Sequence, residues 1–385
     1  MPKKLLVAAA NHWTSPFQVG SHELTRQFLK DGWQVGFISD PVSLLHLFNI
    51  NNKPVSERFR INRAGGEFYN NQQLWAYVPF AVFSPQNFPG LRSKFLYRNW
   101  NRLTIPNVIK KITETGFDNV DLIYCDSILS SYLLEEINFK KSVFRIADNS
   151  AGFNKYSKNS SFFETRLAET TDLVVYSAKN LEEYVSRFNT KQTLYLPNGV
   201  DFEHFFKGPK ELPTEFLSIP SPRVVYIGSM DYWFDVELIN YAAEKLKNVS
   251  FVLIGNSNQI KNKVSKVSNL YLLGFKPYNE IPRYLHNSDA GIIPFKTKEY
   301  TELINSINPL KLYQYMACRL PVIASRWKEL ENLNSPALLY NSAEELTEKL
   351  SIALEQQQDK NALIEYAKKQ DWKERYLMLT KTLNL

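Results

Sequence analysis

Cysteine is scarce in this chain: Cys125 and Cys318 are the only two in 385 residues. Two thiols cannot staple a protein of this length, so folding rests on a core and a reducing compartment is expected. No Cys-x-x-Cys pair is present, which excludes the common zinc-holding spacing. No stretch approaches the roughly 20 apolar residues of a membrane span. The apolar run Leu5 to Ala10 stops at Asn11, His12 and Trp13, so it reads as a buried first strand rather than a signal peptide. Glycine is also sparse, and Asn11 to Gln18 lacks Gly-x-Gly-x-x-Gly. That absence argues against a nicotinamide or flavin cofactor at the first strand-to-helix turn.

What is present is a soluble globular composition, 44% hydrophobic and 22% charged, too long for one ordinary core. Leu5 to Ala10, Gln34 to Ile38, Leu122 to Cys125, Val143 to Ile146 and Leu173 to Tyr176 are short apolar runs. Segments of helical period such as Ser21 to Lys30 and Ala178 to Phe188 lie between them. That alternation predicts a parallel sheet covered on both faces. Pro209, Pro213, Pro220 and Pro222 punctuate the chain and read as a linker. The pattern then restarts with strands at Arg223 to Ile227, Phe251 to Ile254, Leu270 to Leu272, Ala290 to Ile293 and Val322 to Ala324. Helices are expected at Asp235 to Leu246, Asn279 to His286, Leu310 to Ala317, Ala343 to Gln357 and Trp372 to Leu383. The fold class expected is α/β, with two Rossmann-like domains at 1–205 and 206–370 facing across a cleft. A last helix, 371–385, would pack back on the first domain.

Three clusters can carry chemistry. Gly228-Ser229-Met230 follows a strand and precedes a helix, where backbone amides can approach a phosphate. Asn308-Pro309-Leu310-Lys311-Leu312-Tyr313-Gln314 places Pro309 for a first helical turn and Lys311 at the positive helix end. Gln314 shares the face of Lys311 and can reach a sugar or ribose hydroxyl; a solvated lysine and glutamine on an ordinary helix is the alternative. Asp148 ends the strand Val143 to Ile146 at the sheet's carboxyl end. There it is a candidate base, or else a turn aspartate. His12 and His22 flank the first turn and are lesser candidates.

The phrase from Asn308 through Pro321-Val322, with Gly228-Ser229-Met230, Pro197-Asn198-Gly199-Val200-Asp201 and Gly274-Phe275, resembles the signature of GT-B glycosyltransferases. Among these it is most similar to the bacterial inverting glucuronosyltransferases of xanthan assembly. The resemblance implies a transferase taking sugar from a nucleotide diphosphate donor, with uridine diphosphate as carrier and glucuronate or another hexose as sugar. It implies that Met230 and Phe275 bracket the base, that Leu310 and Lys311 open the phosphate-binding helix, and that Gln314 touches the donor. It also places the family's proposed base at Asp148, within Arg145-Ile146-Ala147-Asp148. Phe275 departs from the pattern, which has an acidic residue there. Asp-x-Asp, the metal-holding pair of the other main glycosyltransferase fold, is absent, so no metal and no cofactor are expected. Ser306 and Gln314 stand where retaining relatives carry two glutamates, which favours inversion. The alternative is a non-catalytic subunit that binds nucleotide sugar or glycan.

The net charge of +7 is uneven: residues 1–200 carry 23 Lys and Arg against 17 Asp and Glu, a surplus of +6. Phe68 to Thr113 contains no acidic residue. Arg92, Lys94, Arg98, Arg102, Lys110 and Lys111 are interleaved there with Phe83, Phe88, Phe95, Tyr97 and Trp100. Such a mixture suits an anionic membrane surface, a core with a solvated basic face, or nucleic acid. With the second half near neutrality, nucleic acid is not expected as a partner. The expected setting is cytoplasmic, on the inner face of the plasma membrane. A lipid-linked glycan acceptor would be met there, with His22, Arg92, Lys94, Arg98, Trp100 and Arg102 toward acceptor or membrane.

Overall fold

A computed structural model describes residues 2–15, 18–149, 158–355 and 359–385. The chain divides into two compact units, residues 1–197 with 376–385, and residues 198–375.

In the first unit the strands are β1 (Lys4–Ala9), β2 (Gln34–Ser39), β3 (Val42–Ser43), β4 (Glu67–Tyr69), β5 (Leu74–Tyr77), β6 (Phe80–Ala81), β7 (Asn119–Asp126), β8 (Asn138–Ile146), β9 (Leu173–Tyr176) and β10 (Thr193–Tyr195). Eight of them form one sheet in the order β10-β9-β8-β7-β1-β2-β5-β4, while β3 and β6 pair separately. Neighbours in the large sheet are parallel except β4 and β5. The antiparallel edge follows from Asn70, Asn71 and Gln72, which take φ of 49°, 52° and 68°. Asparagine tolerates that left-handed region better than most residues. The strand order reverses between β1 and β7, and ligands of doubly wound sheets bind outside the carboxyl ends at such a point.

The second unit has β11 (Arg223–Ile227), β12 (Ser250–Ile254), β13 (Leu270–Gly274), β14 (Ala290–Ile293), β15 (Val322–Ser325) and β16 (Leu338–Tyr340). Their order is β13-β12-β11-β14-β15-β16. Counted within the unit, that is the nucleotide-binding order, with its switch point between β11 and β14. Strands β11, β12, β14 and β15 are almost wholly buried, as a sheet covered on both faces requires.

The proline-rich stretch does not separate the units; the division falls at Pro197/Asn198. The Val200 amide donates to Gln370 O at 2.9 Å, and the Trp372 amide to Val200 O at 3.0 Å. A Cβ on Gly199 would lie 2.6 Å from Gln370 O. These bonds lock 198–200 to 370–372 within the second unit. The linker stretch is itself anchored, through Phe216 in the core and the Arg223 guanidinium on Ile219 O and Asn287 O. The helix Trp372–Leu383 spans the division. Its Tyr376 hydroxyl bonds to Asp31 and its ring packs edge-on against Phe28 at 4.9 Å, so this end belongs to the first unit.

Other expectations shift locally. Ala178 to Phe188 is not one helix but a 3-10 turn, Lys179–Leu181, followed by the short helix Glu182–Val185. The helix from Ala343 runs to Glu355, and Gln356 and Gln357 lie outside the described residues. Pro309 takes ψ of 112° and caps the Leu310–Ala317 helix instead of occupying its first turn. Among the described residues no helix is long and apolar enough to cross a membrane.

Trp100 departs most from expectation. It is 2% exposed, meets Tyr132 edge-on at 5.1 Å and donates Nε1–H to Leu129 O at 3.0 Å. It is core, and so are Leu96 and Tyr97 beside it, because those three lie on the inward face of a short helical turn. Trp100→Ala is expected to destabilise the protein by about 3–5 kcal/mol in chemical unfolding, a loss that a solvent-facing tryptophan would not cause.

Candidate active site

The donor candidates converge in the second unit at the carboxyl ends of β11, β12 and β13. Three strand-end glycines make the convergence possible. Gly228 follows β11 with φ of 148°, and its amide donates to Ile254 O at 2.9 Å. Gly255 crosses so close that a Cβ would lie 1.9 Å from Gly228 O, and its amide donates to Gly274 O at 2.8 Å. A side chain at either crossing would force the strand ends apart.

Lys311 lies directly over this glycine turn. A Cβ on Gly228 would stand 2.5 Å from Lys311 Cε and 2.8 Å from Nζ. The ammonium sits 5.2 Å from the Tyr226 ring centre and 5.9 Å from that of Phe295, within reach of cation–π attraction. It makes no hydrogen bond or ion pair with any described residue. Burial without a counter-ion lowers its pKa to about 8. A half-buried cation over free backbone at a helix start is chemistry for an anion.

The frame around Lys311 is held from several sides. Tyr226 donates to Ser229 O at 2.7 Å, closing the Gly228-Ser229 turn. The Tyr315 hydroxyl, one turn beyond Lys311, accepts from the Ile227 amide at 2.8 Å and ties the helix to β11. Before the helix, the Asn308 carboxamide accepts from Tyr313 at 2.9 Å and donates at 3.1 Å to the fully buried Glu329. Asn198 in turn donates to Asn308 O at 2.8 Å. Tyr226, Phe295, Gly255 and Glu329 were not singled out in the sequence, nor was the bonding that joins Asn198, Asn308 and Tyr313. Tyr226 reads there as one more apolar strand residue, and the network joins positions far apart in the chain.

The remaining donor candidates separate. Gln314 is half-buried and its carboxamide is free among the described residues. Leu310 is half-buried at the helix start, and Ser229 lies half-buried in the turn. Phe275, directly after Gly274, is 50% exposed, a platform on which a base can stack. Its loop is pinned by Lys276, whose ammonium meets Glu215, itself 3.1 Å from the Tyr284 hydroxyl. Met230 cannot bracket a base as it stands: it is 1% exposed within the core, and its amide donates to Asn256 O at 3.1 Å. Ser306 is likewise buried, its hydroxyl donating to Leu303 O.

In the first unit, a cavity of about 720 Å³ opens at the carboxyl ends of β1, β2, β7 and β8. Asp148 lines it, with Asp40, Arg58, Asp126 and Arg145. Arg145 is buried and pairs with Asp126 at 3.0 Å. Burial works against its charge, but Asp126, with Tyr124 and Asp148, outweighs that and holds the guanidinium above its ordinary pKa. Asp40 accepts from the Ser127 hydroxyl at 2.5 Å.

Neither His12 nor His22 lines this cavity, although His46 does. His22, expected toward the acceptor, is 0% exposed, stacks on Trp13 at 5.8 Å, and its Nε2 bonds to His12 O at 3.0 Å. Burial lowers both His12 and His22 to about 4, leaving them neutral parts of the packing. Arg92, Lys94, Arg98 and Arg102 are exposed as expected, with Phe83, Phe88 and Phe95. The structure adds Leu44, Leu45, Leu47 and Phe48, which project from the 3-10 turn Leu44–Asn49 and which the sequence reading passed over.

Because an anion favours the charged lysine, nucleoside diphosphate affinity should fall about tenfold per pH unit above pH 8 and be flat below it. Titration calorimetry with UDP at pH 7 to 9.5 checks this, and Lys311→Arg should remove the slope. The sign reverses for the empty protein. Free lysine binds its proton up to about 10.5 and the folded one only to about 8, so unliganded stability rises through that window. Gly228→Ala should push Lys311 aside and abolish the UDP-induced thermal shift while leaving the protein folded.

Residues 7–177 match the model of the glucuronosyltransferase GumK N-terminal domain, and residues 221–356 match that of glycosyl transferases group 1. A curated relative, the putative teichuronic acid biosynthesis glycosyltransferase TuaH of Bacillus subtilis, is 24% identical over 182 residues, which cover 45% of each chain. Among solved structures, a sucrose-phosphate synthase from Thermosynechococcus elongatus superposes with a TM-score of 0.69 at 15% identity, over 99% of this chain and 98% of that one. Anabaena HepE in complex with UDP and glucose gives 0.67 at 14% identity over 99% of both chains. The neighbours across the full length show a GT-B architecture, and the matches in both halves make the chain similar to glycosyltransferases, GumK among them.

Proposed function

We propose that this protein transfers a hexose or glucuronate from a UDP-linked donor to a lipid-linked or polysaccharide acceptor, with inversion and without a metal. The observation that carries the reading is the Lys311 ammonium, held over Gly228 with no carboxylate partner among the described residues. A leaving diphosphate would supply the missing charge, and the amides that open the Leu310 helix would add to it. Support for UDP comes from neighbours solved with UDP, UDP and glucose, and UDP-glucose. Support for glucuronate and for a polysaccharide product comes from the GumK match and from TuaH.

In this reading the acceptor hydroxyl oxygen attacks the anomeric carbon and the bond from that carbon to the diphosphate oxygen breaks. The electron pair leaves with UDP, and the hydroxyl proton passes to Asp148. The acceptor would be reached from the inner face of the plasma membrane. Exposed Phe48, Phe83, Phe88 and Phe95 would enter the interface, and Arg92, Lys94, Arg98 and Arg102 would meet anionic headgroups.

Two variants test the assignment. At a hundred times its dissociation constant, UDP should stabilise the protein by about 2.7 kcal/mol with or without magnesium. Lys311→Ala should lose that shift; a shift that requires magnesium would sink the metal-free reading. Asp148→Asn should keep the UDP shift and lose at least about a hundredfold in turnover. Full turnover in that variant would remove Asp148 as the base.

A further inference from the structure

A second cavity of the first unit, about 550 Å³, has no part in either site described above. Lys94 and Arg98 enter it from the helix Lys94–Asn99, Arg102 from the following turn, and Arg166 from the helix Lys158–Thr170. Glu135 and Glu136 are its acidic residues, so four cations and two carboxylates leave a surplus of +2. The carboxylates are committed elsewhere: Glu135 pairs with Arg166, and Glu136 lies 3.9 Å from Arg102. Lys94 rests over the Phe162 ring at 4.4 Å. Neither it nor Arg98 meets a carboxylate among the described residues. Two like charges one helical turn apart repel each other, and no carboxylate among the described residues offsets that.

Independently, Asn101 forms part of the wall, is 3% exposed, and its Oδ1 has no hydrogen-bond partner. A buried amide oxygen without a donor is costly unless a ligand supplies one. The cavity therefore asks for an anion and a hydroxyl donor together, which a phosphate ester of a polyol provides. At its edge Phe95 is 73% exposed and Phe162 half exposed, side chains suited to the acyl boundary below a headgroup.

We propose that this cavity binds the phosphate of a glycerophosphate-type lipid headgroup. The phosphate lies between Lys94 and Arg98, and a headgroup hydroxyl donates to Asn101 Oδ1. The proposal rests on the membrane-surface reading for the source of the phosphate, and the soluble arm of the test separates the cavity from that source.

The test is co-sedimentation of the full chain with phosphatidylcholine vesicles, with and without phosphatidylglycerol, in about 0.15 M salt, where charges beyond about 8 Å are screened. Lys94→Gln with Arg98→Gln should weaken binding to the phosphatidylglycerol vesicles about 30-fold. Lys30→Gln with Lys179→Gln, an equal charge change at exposed sites elsewhere, should change it less than about twofold. Both double variants should keep the UDP thermal shift, which reports that they fold. Soluble glycerol phosphate should compete with the vesicles. Binding of glycerol phosphate to wild type but not to the cavity variant, without vesicle binding, would keep the site and reject the membrane as its source. Equal losses in both double variants, or no binding of either probe, would overturn the proposal.

Discussion

An ammonium without a counter-ion organises the second unit. Lys311 can lie over the β11 turn only because residue 228 has no side chain, and it keeps its place because Tyr315 ties the helix to the strand beneath it. Tyr226 and Phe295 supply partial attraction but no charge. The protein thus bears the cost of a desolvated cation, whose pKa is lowered accordingly, and the diphosphate proposed to bind there would relieve that cost. The buried asparagine–tyrosine–glutamate network ahead of the helix serves the same end, since it fixes where the helix begins.

The first unit solves a different electrostatic problem on its own, larger sheet. Arg145 is buried beside Asp126 at the strand ends, so its charge is compensated internally and stays fixed. Such a group tunes its neighbours rather than waiting for a ligand. Asp148 stands beside that charge on the wall of a cavity at the strand switch point. One unit therefore presents an unsatisfied cation and the other a satisfied one, which suits diphosphate binding in the former and proton acceptance in the latter.

Much of this was legible in the linear chain. Short apolar runs alternating with helical periods marked ten strands close to where they lie, and the helices at Leu310 and Trp372 begin and end as expected. Lys311 and Gly228 were legible because the turn and the helix start each have a local signature. Strand β5 went unread because Leu74–Tyr77 sits inside a stretch that draws attention for its charge, and β4 because three residues at positive φ carry no glycine. Met230, His22 and Trp100 were misplaced for one shared reason. Motif position says where the backbone goes, not whether the side chain turns inward, and all three turn into the core.

By itself, the sequence determined the two-fold repetition of an α/β pattern, the basic surplus of the first half, and the residues able to meet a diphosphate. Those properties are local or additive, so spacing and composition carry them. Only the tertiary structure decided which cations stay unpaired. Pairing depends on groups distant in sequence: Asp126 for Arg145, Glu135 for Arg166, and no carboxylate among the described residues for Lys311 or Arg98. It also decided that the chain divides at Pro197 rather than at its proline-rich stretch, because backbone bonds between residues 200 and 370–372 outweigh local punctuation.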